Sequence, residues 1–214
     1  MGPAGSGKGT QSEKIVEDYN VVHLSTGDMF RAAISQETKA GIEAKGYIDQ
    51  GLLVPDETTI ALVEERLMQD DVQDRGFLLD GFPRTIPQAE ALESLLERIE
   101  MPLNLIIDLK VDETLLIERI SGRRMCEECG TIYHITNNPP KVEGVCDLDG
   151  GKLYQRSDDN EAGLKVRLEE YHKSTAPIIG YFEGKCEVLD VDASNSVDEV
   201  YSNINSKLGR LIND

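Results

Sequence analysis

The 214-residue chain has no tryptophan, 5% aromatic residues, and 22 basic residues against 40 acidic ones. That shortage of positive charge leaves a formal net charge of −18 and argues against a nucleic-acid binder, which usually carries a basic footprint. No run of about 18 apolar residues occurs, so no membrane span is expected. No basic stretch leads into an apolar one, so no signal peptide is visible. Cysteine is scarce: four residues, three of them clustered. That usage fits a metal site in a reducing compartment better than a disulfide framework, and cytoplasm is the expected location. With so few cations, a protein of this kind that handled polyphosphates would have to gather its arginines in one cleft against a repelling background.

What is present suits a soluble enzyme. Hydrophobic residues make up 39% and charged residues 29% of a chain long enough for one domain with insertions. Short apolar runs at 21–24, 77–80, 103–109 and 186–191 alternate with amphipathic stretches, the pattern of an α/β protein with a parallel sheet. Helices are expected at 9–19, 27–35, 39–50, 56–69, 86–99, 112–122, 160–182 and 197–211. Asp112 and Ser196 serve as N-caps, and Pro55 marks a boundary. Gly163, inside the helix expected at 160–182, reads as a tolerated glycine. Between 123 and 159 helical periodicity stops, and Gly, Pro, Asn and Cys crowd into a small β-rich insertion. A helical insertion lies between the first strand and Pro55.

Three stretches carry chemistry. In GPAGSGKGT, residues 2–10, glycines let backbone N–H groups turn toward phosphate oxygens at a helix N-terminus, and Lys8 adds a mobile cation. In LLDGFPR, residues 78–84, an apolar strand ends on Asp80, placed as a Mg²⁺-supporting carboxylate. Cys126-x₂-Cys129 and Cys146-x₂-Asp149, sixteen residues apart, match zinc-ribbon spacing with one carboxylate in place of the fourth thiolate. Asp149 is the weakest member of that set, because Asp147 is close by and the DLDG stretch also suits a turn. Reduced thiols packed without metal are the alternative. Cys186, at the start of an apolar strand, reads as a core residue.

Taken with STGDMFR (25–31), LVPDE (53–57), GRR (122–124) and YQRSDDN (154–160), these stretches resemble the adenylate kinase family in its long bacterial form with a large lid. The likeness runs over essentially the whole chain in the right order. It implies a P-loop nucleoside monophosphate kinase fold: a parallel sheet flanked by helices, a helical AMP-binding insertion at 25–54, and a zinc-ribbon lid at 122–159. The core would be 1–24, 55–121 and 160–214. The reaction implied is reversible, MgATP plus AMP giving two ADP, by a monomer with Mg²⁺ and a structural Zn²⁺. Carried over position by position, Gly5, Ser6, Gly7, Lys8, Gly9 and Thr10 would cradle ATP phosphates, with Arg123, Ile132 and Tyr133 on the ATP side. Thr26, Arg31, Leu52, Leu53, Val54, Gly81, Phe82, Pro83, Arg84 and Gln88 would form the AMP site, the Gln88 amide suiting an adenine edge. Arg156 and Arg167 would close on the phosphates. With Lys8, Arg84 and Arg123 they form the catalytic set. Asp80, with Asp28, would support Mg²⁺. Asp28, Asp158 and Asp159 equally suit ordering arginines or capping helices.

The same resemblance asks for a central strand ahead of the loop, where the sequence offers only Met1. Four buried apolar residues are worth roughly 6–12 kcal/mol, comparable to a total stability of about 5–15 kcal/mol. The expectation is therefore that about five residues precede Met1 in the native protein. Two other functions compete with the implied one. A related kinase acting on UMP or CMP is disfavoured by Gln88 and the large lid. A zinc-ribbon module that merely binds nucleotide is disfavoured by arginines arriving from distant segments.

Overall fold

The computed structural model describes residues 1–213. Its elements follow in chain order. Helix α1 (Lys8–Tyr19) leads to strand β1 (Val22–Ser25), then to α2 (Thr26–Ser35) and α3 (Lys39–Ile48). Next come α4 (Asp56–Leu67), a short α5 (Asp70–Arg75), β2 (Phe77–Asp80), α6 (Ile86–Arg98) and β3 (Leu105–Lys110). A 3₁₀ turn opens α7 (Leu116–Ser121), and β4 (Arg123–Cys126), β5 (Ile132–His134) and β6 (Leu153–Tyr154) follow. The chain ends with α8 (Glu161–Glu170), a π turn (Tyr171–Thr175), α9 (Pro177–Phe182), β7 (Glu187–Asp192) and α10 (Val197–Asn213).

The apolar runs pair in parallel. β1 lies beside β2, with Val22 opposite Phe77 and Ser25 opposite Asp80. β3 lies beside β7 from Leu105–Glu187 to Lys110–Asp192. The two pairs do not bond to each other among the described residues. Met1 joins β3: its amino group donates to the Ile107 carbonyl (2.5 Å), and the Leu109 N–H donates to the Met1 carbonyl (3.2 Å). Helices cover the strands. Leu24 of β1 packs with Val63 and Leu67 of α4 and Leu92 of α6, while Leu109 and Val191 pack with Ile15 of α1 and Ile204 of α10. Each such side chain, fully buried, contributes about 1.5–3 kcal/mol. The helices therefore have to stay against the strands, and the strand ends and their loops converge on one edge.

Caps agree with the sequence reading. The Asp112 carboxylate accepts the Thr114 N–H (2.8 Å). Ser196 and Glu199 bond reciprocally, Ser196 N–H to Glu199 Oε2 at 3.1 Å and Glu199 N–H to Ser196 Oγ at 3.4 Å, as a capping box. Three helical expectations need correction. The helix expected through 160–182 is broken: Pro177 brings no N–H to the ladder, and the Ala176 N–H reaches back five residues to the Tyr171 carbonyl (2.8 Å). The expected helix to residue 69 ends at Leu67, and α5 follows, its only buried residue being Val72. So brief a turn has too few apolar positions to show periodicity. Gly163 is also more than tolerated. It is the third residue of α8, and a β-carbon there would stand 2.4 Å from the Asp158 carbonyl oxygen.

The insertion at 123–159 folds as a three-stranded antiparallel sheet with β4 in the middle. It owes its order to a small core of Cys126, Tyr133, Cys146 and Leu153. In the other insertion, Phe30 of α2, Ala44 of α3 and Val54 share a second small core.

Candidate active site

The loop before α1 turns on Gly5 and Gly7, both at positive φ (83° and 97°), and Gly7 caps the helix without a side-chain bond. The first N–H groups of α1 are thus left pointing out of the helix end, where an anion is favoured. Lys8, the first residue of α1, folds back across the loop and donates to the carbonyls of Gly2 (2.7 Å) and Pro3 (2.8 Å). Burial pushes its ammonium down to about 8, and the guanidinium groups of Arg84, Arg123 and Arg167 push the same way against the pull of Asp80.

Asp80 closes β2 beside Ser25, the last residue of β1. Burial would raise its carboxyl, but His23 and Lys8 hold it down at about 2. His23 Nε2 lies 3.6 Å from Asp80 Oδ2, beyond hydrogen-bond length, and has no hydrogen-bond partner although buried. Ser25 caps α2 by accepting the Asp28 N–H (3.3 Å), which leaves the Asp28 carboxylate to pair with Arg31. Thr26 Oγ1 donates to the Gly81 carbonyl (2.8 Å) and ties α2 to the loop after β2.

Four arginines reach this edge from separate elements. Arg84 follows β2 and donates from Nε to the Gly81 carbonyl (2.8 Å). Arg123 opens β4 and grips Asp159 with two nitrogens, one bond measuring 2.8 Å. Arg167 of α8 binds Asp158 and approaches Asp159 at 3.4 Å. Arg156 lies between β6 and α8, with its Nε buried and unpartnered. Burial and the neighbouring Arg31 and Arg123 push the Arg156 guanidinium down to about 10. Burial likewise lowers Arg84 and Arg167. Positive groups depressed by desolvation and by one another, beyond what Asp28, Asp80, Asp158 and Asp159 offset, make a cleft that favours further negative charge. A polyanion meets that need, and arginine forks suit phosphate oxygens.

On the other side, Gln88 is 2% exposed and both ends of its amide are taken. Oε1 accepts the Arg84 N–H (2.7 Å), and Nε2 donates to Asp56 Oδ1 (2.7 Å), which also accepts from Thr85 Oγ1 (3.0 Å). The sequence reading left that amide open for a base; the structure ties it into the scaffold of Arg84. Val54 and Phe82 are buried, and Leu52 is 39% exposed. Asp56, His23 and Thr175, whose hydroxyl donates to the Arg84 carbonyl (3.0 Å), are the residues that the sequence reading missed. Asp56 sat in a quoted motif, LVPDE, but nothing local marks a carboxylate that serves a helix thirty residues on.

In the insertion, alternation along β5 splits two residues that the sequence reading kept together. Ile132 reaches the loop, its Cδ1 lying 2.8 Å from where a β-carbon on Gly9 would be. Tyr133 points the other way and is buried: its hydroxyl accepts the Asp147 N–H (2.8 Å) and lies 3.4 Å from Cys146 Sγ. The Tyr133 ring thus belongs to the small core of the insertion, with Cys126, Cys146 and Leu153. The ligand atoms of Cys126, Cys129, Cys146 and Asp149 all lie within 4.8 Å of one another. Cys129 Sγ and Cys146 Sγ are 3.6 Å apart, close to the ~3.8 Å that tetrahedral Zn–S bonds of about 2.3 Å require. Asp149 Oδ1 is 3.3 Å from Cys126 Sγ, whereas Asp147 is occupied by the Lys141 N–H (2.9 Å). Between the two neighbouring aspartates, Asp149 is the one in the cluster. The donor set and its spacing fit a zinc ion.

The sequence model of adenylate kinases matches residues 1–187. The chain belongs to the adenylate kinase family. It is 54% identical over 211 residues to adenylate kinases of Bacillus velezensis and of Bacillus subtilis, covering 99% of this chain and 97% of each relative. An adenylate kinase of Clostridium botulinum is 52% identical over 210 residues, covering 98% of this chain and 97% of the relative. As a member of the adenylate kinase family the chain is a phosphotransferase of the nucleoside monophosphate kinase class, with the mixed α/β architecture and parallel strands described above. Among the described residues, no helix is long and apolar enough to cross a membrane.

Proposed function

We propose that the cleft transfers a phosphoryl group from MgATP to AMP, giving two ADP, with the roles divided as follows. The loop of Gly5, Ser6, Gly7, Lys8, Gly9 and Thr10 holds ATP phosphates, acting as the P-loop of a nucleoside monophosphate kinase core (1–24, 55–121 and 160–214). Arg123 and Ile132, with the backbone of Tyr133, belong to the ATP side. Thr26, Arg31, Leu52, Leu53, Val54, Gly81, Phe82, Pro83, Arg84 and Gln88 belong to the AMP side, in and next to the insertion 25–54. Adenine recognition by Gln88 would exchange one of its internal bonds for one to the base. The observation that carries this reading is the half-buried cluster of Lys8, Arg84, Arg123, Arg156 and Arg167, cations that crowd one another and are only partly offset by Asp80, Asp158 and Asp159.

The acceptor's own phosphate oxygen is the nucleophile, so no side chain need form a covalent intermediate. The new P–O bond forms to the AMP phosphate as the bond from the γ-phosphorus to the β–γ bridging oxygen breaks. Arg84 and Arg31 hold the acceptor phosphate. Lys8, Arg123, Arg156 and Arg167 spread over the donor and the transferring group. Catalysis is then positioning and charge stabilisation. Mg²⁺, when bound with ATP, neutralises charge on the β- and γ-phosphates; Asp80, kept ionised at neutral pH, would support it together with Asp28. The insertion 122–159 acts as a lid that keeps water from the γ-phosphate. Its Cys126, Cys129, Cys146 and Asp149 would hold a structural zinc that locks the two turns together. A cytoplasmic monomer is the setting that composition and family suggest.

The test is ADP formation from MgATP by the full chain, with and without AMP and with CMP, UMP and GMP as rivals. Turnover that depends on AMP is expected; equal turnover without an acceptor, or a preference for CMP or UMP, would overturn the reading. Arg84→Lys keeps charge but loses the fork, and should raise KM for AMP at least tenfold while leaving KM for ATP within about twofold.

A further inference from the structure

Arg84 is held at three points by three parts of the chain. Its N–H goes to Gln88 Oε1 (2.7 Å), its Nε to the Gly81 carbonyl (2.8 Å), and its own carbonyl accepts from Thr175 Oγ1 (3.0 Å). The first two partners are near neighbours in sequence; Thr175 is 91 residues away. Thr175 is buried, 8% exposed, and is the last residue of the π turn. The extra residue of a π turn rotates everything after it by about 100° relative to an unbroken α-helix. That rotation turns Thr175 toward Arg84 and lets Ile178 sink into the core with Ala89 and Phe182. The same run of chain carries Arg167 two turns earlier, against Asp158 and Asp159. A break that costs a regular helical turn thus sits where it gives the Arg84 backbone a partner.

We propose that Thr175 is a positioning residue for Arg84: its hydroxyl fixes the Arg84 carbonyl and so sets where the guanidinium meets the acceptor phosphate. The inference rests on the reading that Arg84 holds the AMP phosphate. Removing the hydroxyl leaves a part-buried carbonyl without this partner, and Arg84 is then free to shift toward solvent. The loss falls on AMP and spares ATP, because Arg123, Arg156 and the Lys8 loop are positioned by other contacts.

Initial rates of the full chain decide it, with AMP varied at saturating MgATP and the reverse, for the native protein, Thr175→Val, Thr175→Ala and Thr175→Ser. T175V should raise KM for AMP roughly tenfold, the size of one buried hydrogen bond, with KM for ATP within about twofold. T175S, which keeps the hydroxyl, should stay within about twofold on both. T175A removes the hydroxyl without setting a methyl against the carbonyl; it should repeat the T175V split and serves as the test if T175V loses its cooperative melting transition. Unchanged AMP kinetics in T175V or T175A, an equal rise in both KM values, or equal impairment of T175S would overturn the proposal. R84K run alongside separates the two failures. If R84K raises KM for AMP and the threonine variants do not, only the role of Thr175 falls. If R84K leaves AMP kinetics untouched, the placement of Arg84 at the acceptor phosphate falls as well.

Discussion

Lys8 is a cation held where cations are disfavoured, and that makes its protonation a reporter of what binds. In the free protein its ammonium titrates at about 8, instead of near the ordinary lysine value of 10.5. A bound polyphosphate adds negative charge beside it and raises that value again. Binding above pH 8 should therefore take up a proton, and affinity for ATP should fall as pH rises through 8 to 10, by at most tenfold per unit. Calorimetry at pH 8.5 in buffers of different ionisation enthalpy measures the uptake directly; no net uptake there would contradict the placement of Lys8 on the phosphates. The sign for folding runs the other way. A lysine depressed in the folded state costs stability while it is charged, and raising the pH from about 8 toward 10.5 relieves that cost. At this scale the motifs were legible because each is short and local: the loop and its lysine fall within residues 2–10, and Asp80 ends its own apolar run at 77–80. Asp56, His23 and Thr175 were not, since each acts across a gap in sequence that only folding closes.

Helices α2 and α3 show how an element can depend on a single missing methyl. A β-carbon on Gly41 would lie 2.1 Å from the Ala33 carbonyl oxygen, closer than any side chain can sit, so the two helices touch backbone to backbone. Gly41→Ala should force them apart, lower the stability of this insertion by about 1–3 kcal/mol, and raise KM for AMP with little change for ATP. Thermal melting and two-substrate kinetics would show it, and an unchanged KM for AMP would speak against the insertion as the AMP side. The lid makes a parallel case. Its core is four residues, two of them cysteines of the cluster, too little apolar area to hold a three-stranded sheet alone. Purified native chain should carry one zinc. Asp149→Ala should lose most of it and melt at a lower temperature, while Asp149→Cys should keep it; metal analysis that finds zinc unchanged in D149A would remove Asp149 from the ligand set. That this insertion is β-rich was readable from its crowded Gly, Pro, Asn and Cys; where its three strands lie was not. The direction of Tyr133 was not, because alternation assigns faces only once the strand's register is known.

Over the whole molecule, a net charge of −18 surrounds a cleft in which cations crowd one another. Both features are relieved by salt, which screens surface charges over a Debye length of about 10 Å at 0.1 M. The melting temperature should rise between about 10 and 300 mM NaCl, and a fall would mean that surface ion pairs outweigh the net charge. Exposed pairs such as Lys14–Asp198 and Lys45–Asp49 are each worth too little, typically under about 1 kcal/mol, to reverse that.

Local pattern was enough for the family, through short motifs in the right order, and for the core strand segments, because each motif and each apolar run is written within a few consecutive residues. Tertiary packing alone decided that the helix at 160–182 breaks into a π turn, that Tyr133 turns into the insertion's core, and that Gln88 and Thr175 brace Arg84. In each of these cases two or more conformations are equally allowed to the local chain. The choice between them falls to partners many residues distant, whose approach is a property of the packed core.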